Sequence, residues 1–524
     1  MEEDCSDLIE AFGNIDIDTA SFLLEALEGA AEYDDSSESW GPFLEPFLVD
    51  PSKALRILST DLMAIPKAKA NLERKRNDSD VSNFSEDSHN PRAESENSPF
   101  DCFMKPHVTP ISGAHNRAIS LRQLRLVFDY VRQFDDGSGY LPWTDWNQQS
   151  DTYGQQLQVK NINLYHVVDF IIKPATKQYQ CSLVEILSTT KSQPPKWFVS
   201  HCWSHPVEEF LCSIEEHARV RNLSPDDFWW ICGYANNQHF IDADINIDPD
   251  PRKTSFYRAM QQCEGVLLCL DSMAKPFTRI WCSFESAMIV QSGERRLLLD
   301  IAAVVDGKGV VLTDGLVESD LTQGPKFALE AKREREIAFP LELLEKGYHI
   351  DIRQASASHE TDIRRILNAI AGVSAEDLGA KDPDLSHPAF ERTNQKLRGI
   401  FAEAGARKAG EAGRLESLMQ VLRGDMERTT LTLNLGGCQQ LDLTSLVALS
   451  GHPNLSRVVI DCSYCVLPKM SWIEKGLTKL PMLNELTLNL SGCSDVDASA
   501  LGAISHISTL QKLRLDLTTA VSQM

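Results

Sequence analysis

No run among the 524 residues is long and apolar enough to cross a bilayer, and Met1 is followed by Glu2, Glu3 and Asp4 instead of the apolar core of a signal peptide. No membrane association is therefore expected. Lys and Arg are missing from residues 1–50, which hold fifteen acidic residues in a chain of net charge −24. This deficit argues against a mitochondrial presequence and against a nucleic-acid partner, both of which need clustered positive charge. No Gly-rich loop precedes a helix, so a P-loop nucleotide site is not expected either. Cysteine is plentiful, but its thirteen copies are odd in number and scattered through apolar runs, with no secretory feature beside them. They read as reduced thiols of a cytoplasmic protein. His201-Cys202-x-x-His205, taken with Cys212, Cys232 or His239, fits no common zinc spacing, so no metal is expected. A thiol hydrolase pairing Cys282 with His201 or His239 is disfavoured, because Cys282 falls on a helix predicted to be buried.

What is present divides the chain. Residues 1–116 are acidic and predicted mostly disordered, with Phe22, Leu23, Leu24 and Leu27 on one short amphipathic helix and a basic run at 67–76 acting as linker. Residues 117–196 form a helical leader, in which Leu121, Leu124, Val127, Phe128 and Val131 recur at helical spacing. Residues 197–373 alternate short apolar runs with amphipathic stretches. Residues 374–427 are a polar helical connector, 428–517 repeat internally, and 518–524 are a tail.

The alternating part begins with Trp197-Phe198-Val199-Ser200, a buried strand. A helix follows with Val207, Phe210, Leu211, Ile214 and Ala218 on one face. Phe228 to Cys232 reads as the second strand, leading into Tyr234-Ala235-Asn236-Asn237-Gln238-His239 and a long polar loop. Ser255 caps the next helix, Gly265 to Leu270 is a third strand, and Trp281 to Glu285 lies on a helix. Arg295 to Val305 supplies another strand, Gly309 to Leu312 a hairpin addition, and residues 326–337 a charged helix. Residues 348–352 supply a final strand. Strands alternating with helices predict an α/β, doubly wound parallel sheet, whose ligands bind beyond the carboxyl ends of its strands. Ser200, Asn236 and Asp271 follow strand ends and are expected near one crevice.

In the repeat, Leu431-x-Leu433-x-Leu435, Val458-x-Ile460-x-Cys462, Leu486-x-Leu488-x-Leu490 and Leu513-x-Leu515-x-Leu517 start 27, 28 and 27 residues apart. Cys438, Cys465 and Cys493 fall at one common place in the first three units, and Leu455, Leu483 and Leu510 precede the later strands. Units of this size cannot bury their apolar side alone, so stacking is predicted.

Two resemblances rest on these residues. The order of elements in 197–373, with Trp281-Cys282-x-x-Glu285, resembles the TIR domain, most closely the plant type. That likeness implies a flavodoxin-like sheet and nominates Glu285, at the position of the catalytic Glu of NAD-hydrolysing members. The chain departs from the family after Ser200, where His201, Cys202, Trp203 and His205 replace its usual residues. Residues 428–517 resemble cysteine-containing leucine-rich repeats, implying a short solenoid and a protein partner.

Breaking the nicotinamide bond of NAD develops a cationic sugar, which a nearby carboxylate stabilises, while nicotinamide leaves neutral and needs no general acid. Trp203, Tyr234 and Trp281 can stack on rings, Asn236, Asn237 and Gln238 can hydrogen-bond ribose or phosphate, and Ser200, His201 and His239 complete the expected substrate-binding set. NAD or a related nucleotide is then substrate and not cofactor, and the resemblance implies homo-oligomers. The alternative is a non-catalytic TIR-like and leucine-rich-repeat scaffold or adaptor.

Overall fold

The computed structural model describes residues 100–104, 107–148, 150–241, 250–291, 297–322, 324, 328–438, 441–467, 470–494 and 496–518. The acidic helix at 22–27, the basic run at 67–76, part of the long polar loop and the start of the expected 295–305 strand lie outside the described residues. In the leader, β1 (Ile119–Ser120) runs into α1 (Leu121–Arg132), where Ser120 and Gln123 close a reciprocal capping box. Leu121, Leu124, Val127, Phe128 and Val131 are all buried, as their spacing requires. The leader is not wholly helical. β2 (Tyr140–Thr144) and β3 (Gln156–Gln158) form an antiparallel pair, and the next turn is held by His166 Nε2 at 3.0 Å from buried Asp145 Oδ1.

The central sheet comprises β1, β4 (Trp197–Ser200), β5 (Phe228–Trp230), β6 (Gly265–Cys269), β7 (Leu298–Val305) and β8 (Lys308–Leu312), in the order β1-β5-β4-β6-β7-β8. The four middle strands are parallel, and β1 and β8 close the edges antiparallel. Helices cover both faces, which is why β4 and β6 are buried at every position instead of alternating with polar residues. Trp197, Val199, Leu267 and Cys269 pack with α1 and α2 (Val207–Val220). Phe198, Val266 and Leu268 pack on the other face with α3 (Ser255–Met260), α4 (Ile280–Gln291) and the later helices α5 (Leu341–Gly347) and α6 (Glu360–Ile370).

Two local expectations differ from the structure. The cap of α3 is Thr254, whose side chain accepts from Tyr257 N, and Ser255 is already the first helical residue. Residues 348–352 do not make a sheet strand. β8 already occupies the far side of β7, and this segment finds its hydrogen bonds on α7 (Pro388–Ala404): Asn394 Oδ1 accepts from Ile352 N at 3.0 Å, and Arg398 Nε donates to Ile350 O at 2.7 Å.

The connector residues are core. Phe390, Leu397 and Phe401 of α7, with Leu418, Met419 and Leu422 of α8 (Leu415–Gly424), belong to one buried cluster shared by the sheet and the C-terminal strands. Those strands are β9 (Thr430–Asn434), β10 (Arg457–Asp461), β11 (Glu485–Asn489) and β12 (Lys512–Asp516), parallel throughout. Leu431, Val458, Leu486 and Leu513 are ladder partners, so the repeat spacing is the strand register. Helical returns at Leu443–Leu449, Trp472–Lys475 and Ala498–Gly502 separate the strands. The thiols of Cys465 and Cys493 donate to Leu435 O at 3.1 Å and to Cys462 O at 2.8 Å, so they cap the preceding strand ends. Among the described residues, no helix is long and apolar enough to cross a membrane.

Candidate functional site

β4 ends in Ser200, and strand alternation turns this residue away from Val199 toward the face covered by α4. There it meets Glu285. The Glu285 side chain is 4% exposed, and its Oε2 has no hydrogen-bond partner, nor has Ser200 Oγ. Burial raises the Glu285 carboxyl to about 8, because the charged form loses its water; nearby Ser200 pulls weakly the other way. At neutral pH the resting carboxyl is therefore mostly protonated.

Around this acid lie two thiols, and a guanidinium lies near those thiols. Burial, reinforced by the Glu285 charge, pushes Cys232 to about 12 and Cys282 well above its ordinary value, so neither is a nucleophile at rest. Cys282 Sγ donates to His201 O at 3.6 Å, tying the start of α4 to the loop after β4. Arg279, just before α4, lies near Tyr165, Cys202 and Cys282 and is partly exposed. Trp203 donates from Nε1 to Cys232 Sγ at 3.1 Å, with its ring 5.3 Å from Tyr165. Trp203 thus lies against the thiol beside the acid.

The remaining candidates spread outward. His201 is buried against Phe210, with ring centroids 4.6 Å apart, and desolvation drops it to about 3, so it is neutral. Tyr234 is buried in the core on the α2 face, where burial pushes its hydroxyl up. Asn236 is buried, accepts from Ser255 Oγ at 3.0 Å, and leaves Nδ2 without a partner. Gln238 donates to Gly233 O at 2.9 Å. Asn237 and His239 turn to the leader, bonding Gln180 O and Thr176 Oγ1, so their polar atoms are engaged away from Glu285. Trp281 stacks on Phe256 at 5.1 Å and donates to Asp362 Oδ2 at 3.2 Å, which is a packing role. Asp271 caps its own turn by accepting from Lys275 N at 2.7 Å.

Ser200, Cys232, Cys282 and Glu285 are brought together, and Arg279 joins them unforeseen. Its only sequence signal is a cation immediately before an otherwise uncharged helix start. No group of three or more His, Cys, Asp or Glu side chains among the described residues is disposed to hold a metal. A scan against protein-family models finds no match, and searches of curated proteins and of solved structures find none either.

Proposed function

We propose that the chain is a TIR-like signalling protein of flavodoxin-like topology with a leucine-rich-repeat solenoid, and that it cleaves the nicotinamide glycosidic bond of NAD with Glu285 as the catalytic carboxylate. One observation carries the reading: a buried carboxyl set against the Ser200 hydroxyl at the carboxyl end of a parallel strand, with burial outweighing that hydroxyl and raising the acid to about 8. A carboxyl buried with no cation to balance it is costly to ionise, and a cationic ligand beside it would offset that cost. The strand order, with one parallel neighbour on each side of the β4–β6 pair, β5 and β7, supports the topology.

The chemistry follows from the charge states. A cationic pyridinium entering beside Glu285 favours the ionised carboxylate and draws its proton off to solvent. The bond from the ribose anomeric carbon to the ring nitrogen then breaks, its electron pair leaving with neutral nicotinamide. Glu285 stabilises the cationic sugar until water adds to that carbon and loses a proton. Arg279, near Cys282, supplies a cation for a phosphate, and the site has to open for entry, since Glu285 is nearly sealed.

The test is nicotinamide release from NAD by the full chain and by Glu285→Gln. Release that falls by at least about a hundredfold in the variant supports the assignment, a loss typical of a removed electrostatic stabiliser. Equal rates remove Glu285 from the mechanism. The sealed position of Glu285 favours the second reading, a non-catalytic adaptor, and absence of release from the wild-type chain would select it.

A further inference from the structure

The last strand of the C-terminal sheet differs from those before it. In β9 and β11 the inward leucines are sealed, Leu431, Leu433 and Leu435 being 1%, 0% and 0% exposed and Leu486, Leu488 and Leu490 the same. The matching Leu513 and Leu517 are 47% and 41% exposed, and Leu515 is half-buried. Among the described residues β12 has a strand on one side only, so open backbone donors and acceptors stand beside apolar side chains. The opposite edge is covered. Glu403 of α7 accepts from Thr432 N of β9 at 2.8 Å, and Leu329 O accepts from Asn434 Nδ2 at 3.3 Å.

We propose that the β12 edge pairs with the same edge of a second copy of this chain, antiparallel about a twofold axis at Leu515. The sequence Leu513-Arg514-Leu515-Asp516-Leu517 is self-complementary in that register. Leu513 faces the partner's Leu517, Leu515 faces the partner's Leu515, and Arg514 faces the partner's Asp516 on both sides of the axis. Apolar contacts then fall on the inward face and opposite charges on the other. An axis at Arg514 would oppose two arginines, and an axis at Asp516 two carboxylates. An axis between residues would turn one strand's leucines to the other strand's charged face. Asp516 Oδ1 accepts from Thr518 N and Oγ1 at 3.0 and 2.7 Å, which fixes the carboxylate at the strand end. The pairing adds to β12 what β10 already receives on both sides, and it does not depend on whether Glu285 carries chemistry.

Sedimentation velocity of the full chain, over concentrations up to about 100 µM, reads the association directly. The wild-type chain is expected to dimerise. Arg514→Asp and Asp516→Arg should each weaken the dimer at least about tenfold, since two attractive pairs become repulsive. An equimolar mixture of the two variants should dimerise again, because each reversed charge then faces its opposite. Leu515→Cys puts two thiols across the axis and should give a disulfide-linked dimer on oxidation. A wild-type chain that stays monomeric overturns the proposal. So does undiminished association of Arg514→Asp, or a mixture of folded variants that remains monomeric. Should Asp516→Arg fail to fold, Leu515→Cys decides alone, and absence of its cross-link sinks the register.

Discussion

Two buried carboxyl groups in one sheet have opposite fates. Asp300 on β7 is 0% exposed and fully paired: Arg221 donates two bonds to it at 2.8 and 2.7 Å, and His217 Nε2 lies 3.2 Å away. Trp229 Nε1 donates to His217 Nδ1, which leaves Nε2 as the protonated nitrogen of a neutral ring, facing the carboxylate. These partners outweigh desolvation and hold Asp300 near 2. Glu285, on the other face of the sheet, has an oxygen with no partner and sits at about 8. Burial acts on both. The partners decide the sign: the Arg221 fork holds Asp300 ionised against desolvation, whereas the Ser200 hydroxyl is too weak to do so for Glu285.

Four measurements would sharpen or break this contrast. Removing the strut has the largest expected effect: Asp300→Ala leaves the largely covered Arg221 without its counter-ion and should lower unfolding free energy by about 3–5 kcal/mol in urea titration. Its linkage has a definite window. The folded pKa lies below the unfolded one, so Asp300 stabilises above about pH 4, and that contribution fades as pH falls toward 2. Glu285→Gln should move stability the other way. A carboxyl raised to about 8 destabilises progressively as pH climbs from its unfolded value of 4.5, so the variant should gain about 3 kcal/mol at pH 7 and little at pH 4. A variant less stable than wild type at pH 7 would show that Glu285 has an unseen partner.

Arg221→Lys keeps the charge but loses the planar fork, and a drop of about 2 kcal/mol is expected. The smallest effect belongs to Ser200→Ala. Removing the hydroxyl takes away what little favours the carboxylate, so the pH at which stability levels off should rise, with a change under about 1 kcal/mol at pH 7. A downward movement would mean that Ser200 opposes the charge.

Legibility from the sequence followed the range of the interaction. The burial stripe of α1 and the register of β9 to β12 were readable because each is a periodicity within one segment or between near-identical ones. The stretch at 348–352 has strand composition yet stays out of the sheet, because β8 holds the neighbouring edge and α7 satisfies the backbone. Within the candidate site, Ser200 at the end of β4 lies beside Glu285 of α4, whereas Asn236 bonds Ser255 and Asp271 caps its own turn. Asn237, His239 and Trp281 are reactive types in the right stretch, but their polar atoms turn to Gln180, Thr176 and Asp362. Side-chain chemistry names what a residue can bond to and leaves open which neighbour arrives first.

Periodicity along the chain was enough to mark the apolar runs of β4, β5, β6 and β7, the amphipathic stretch of α2 and the common spacing of the C-terminal units. Only the tertiary structure decided that Asp300 would meet Arg221 and His217 while Glu285 met a lone hydroxyl and two thiols. The reason is physical: hydrophobic periodicity acts along the chain, whereas desolvation and charge pairing depend on distances between segments that folding alone brings together.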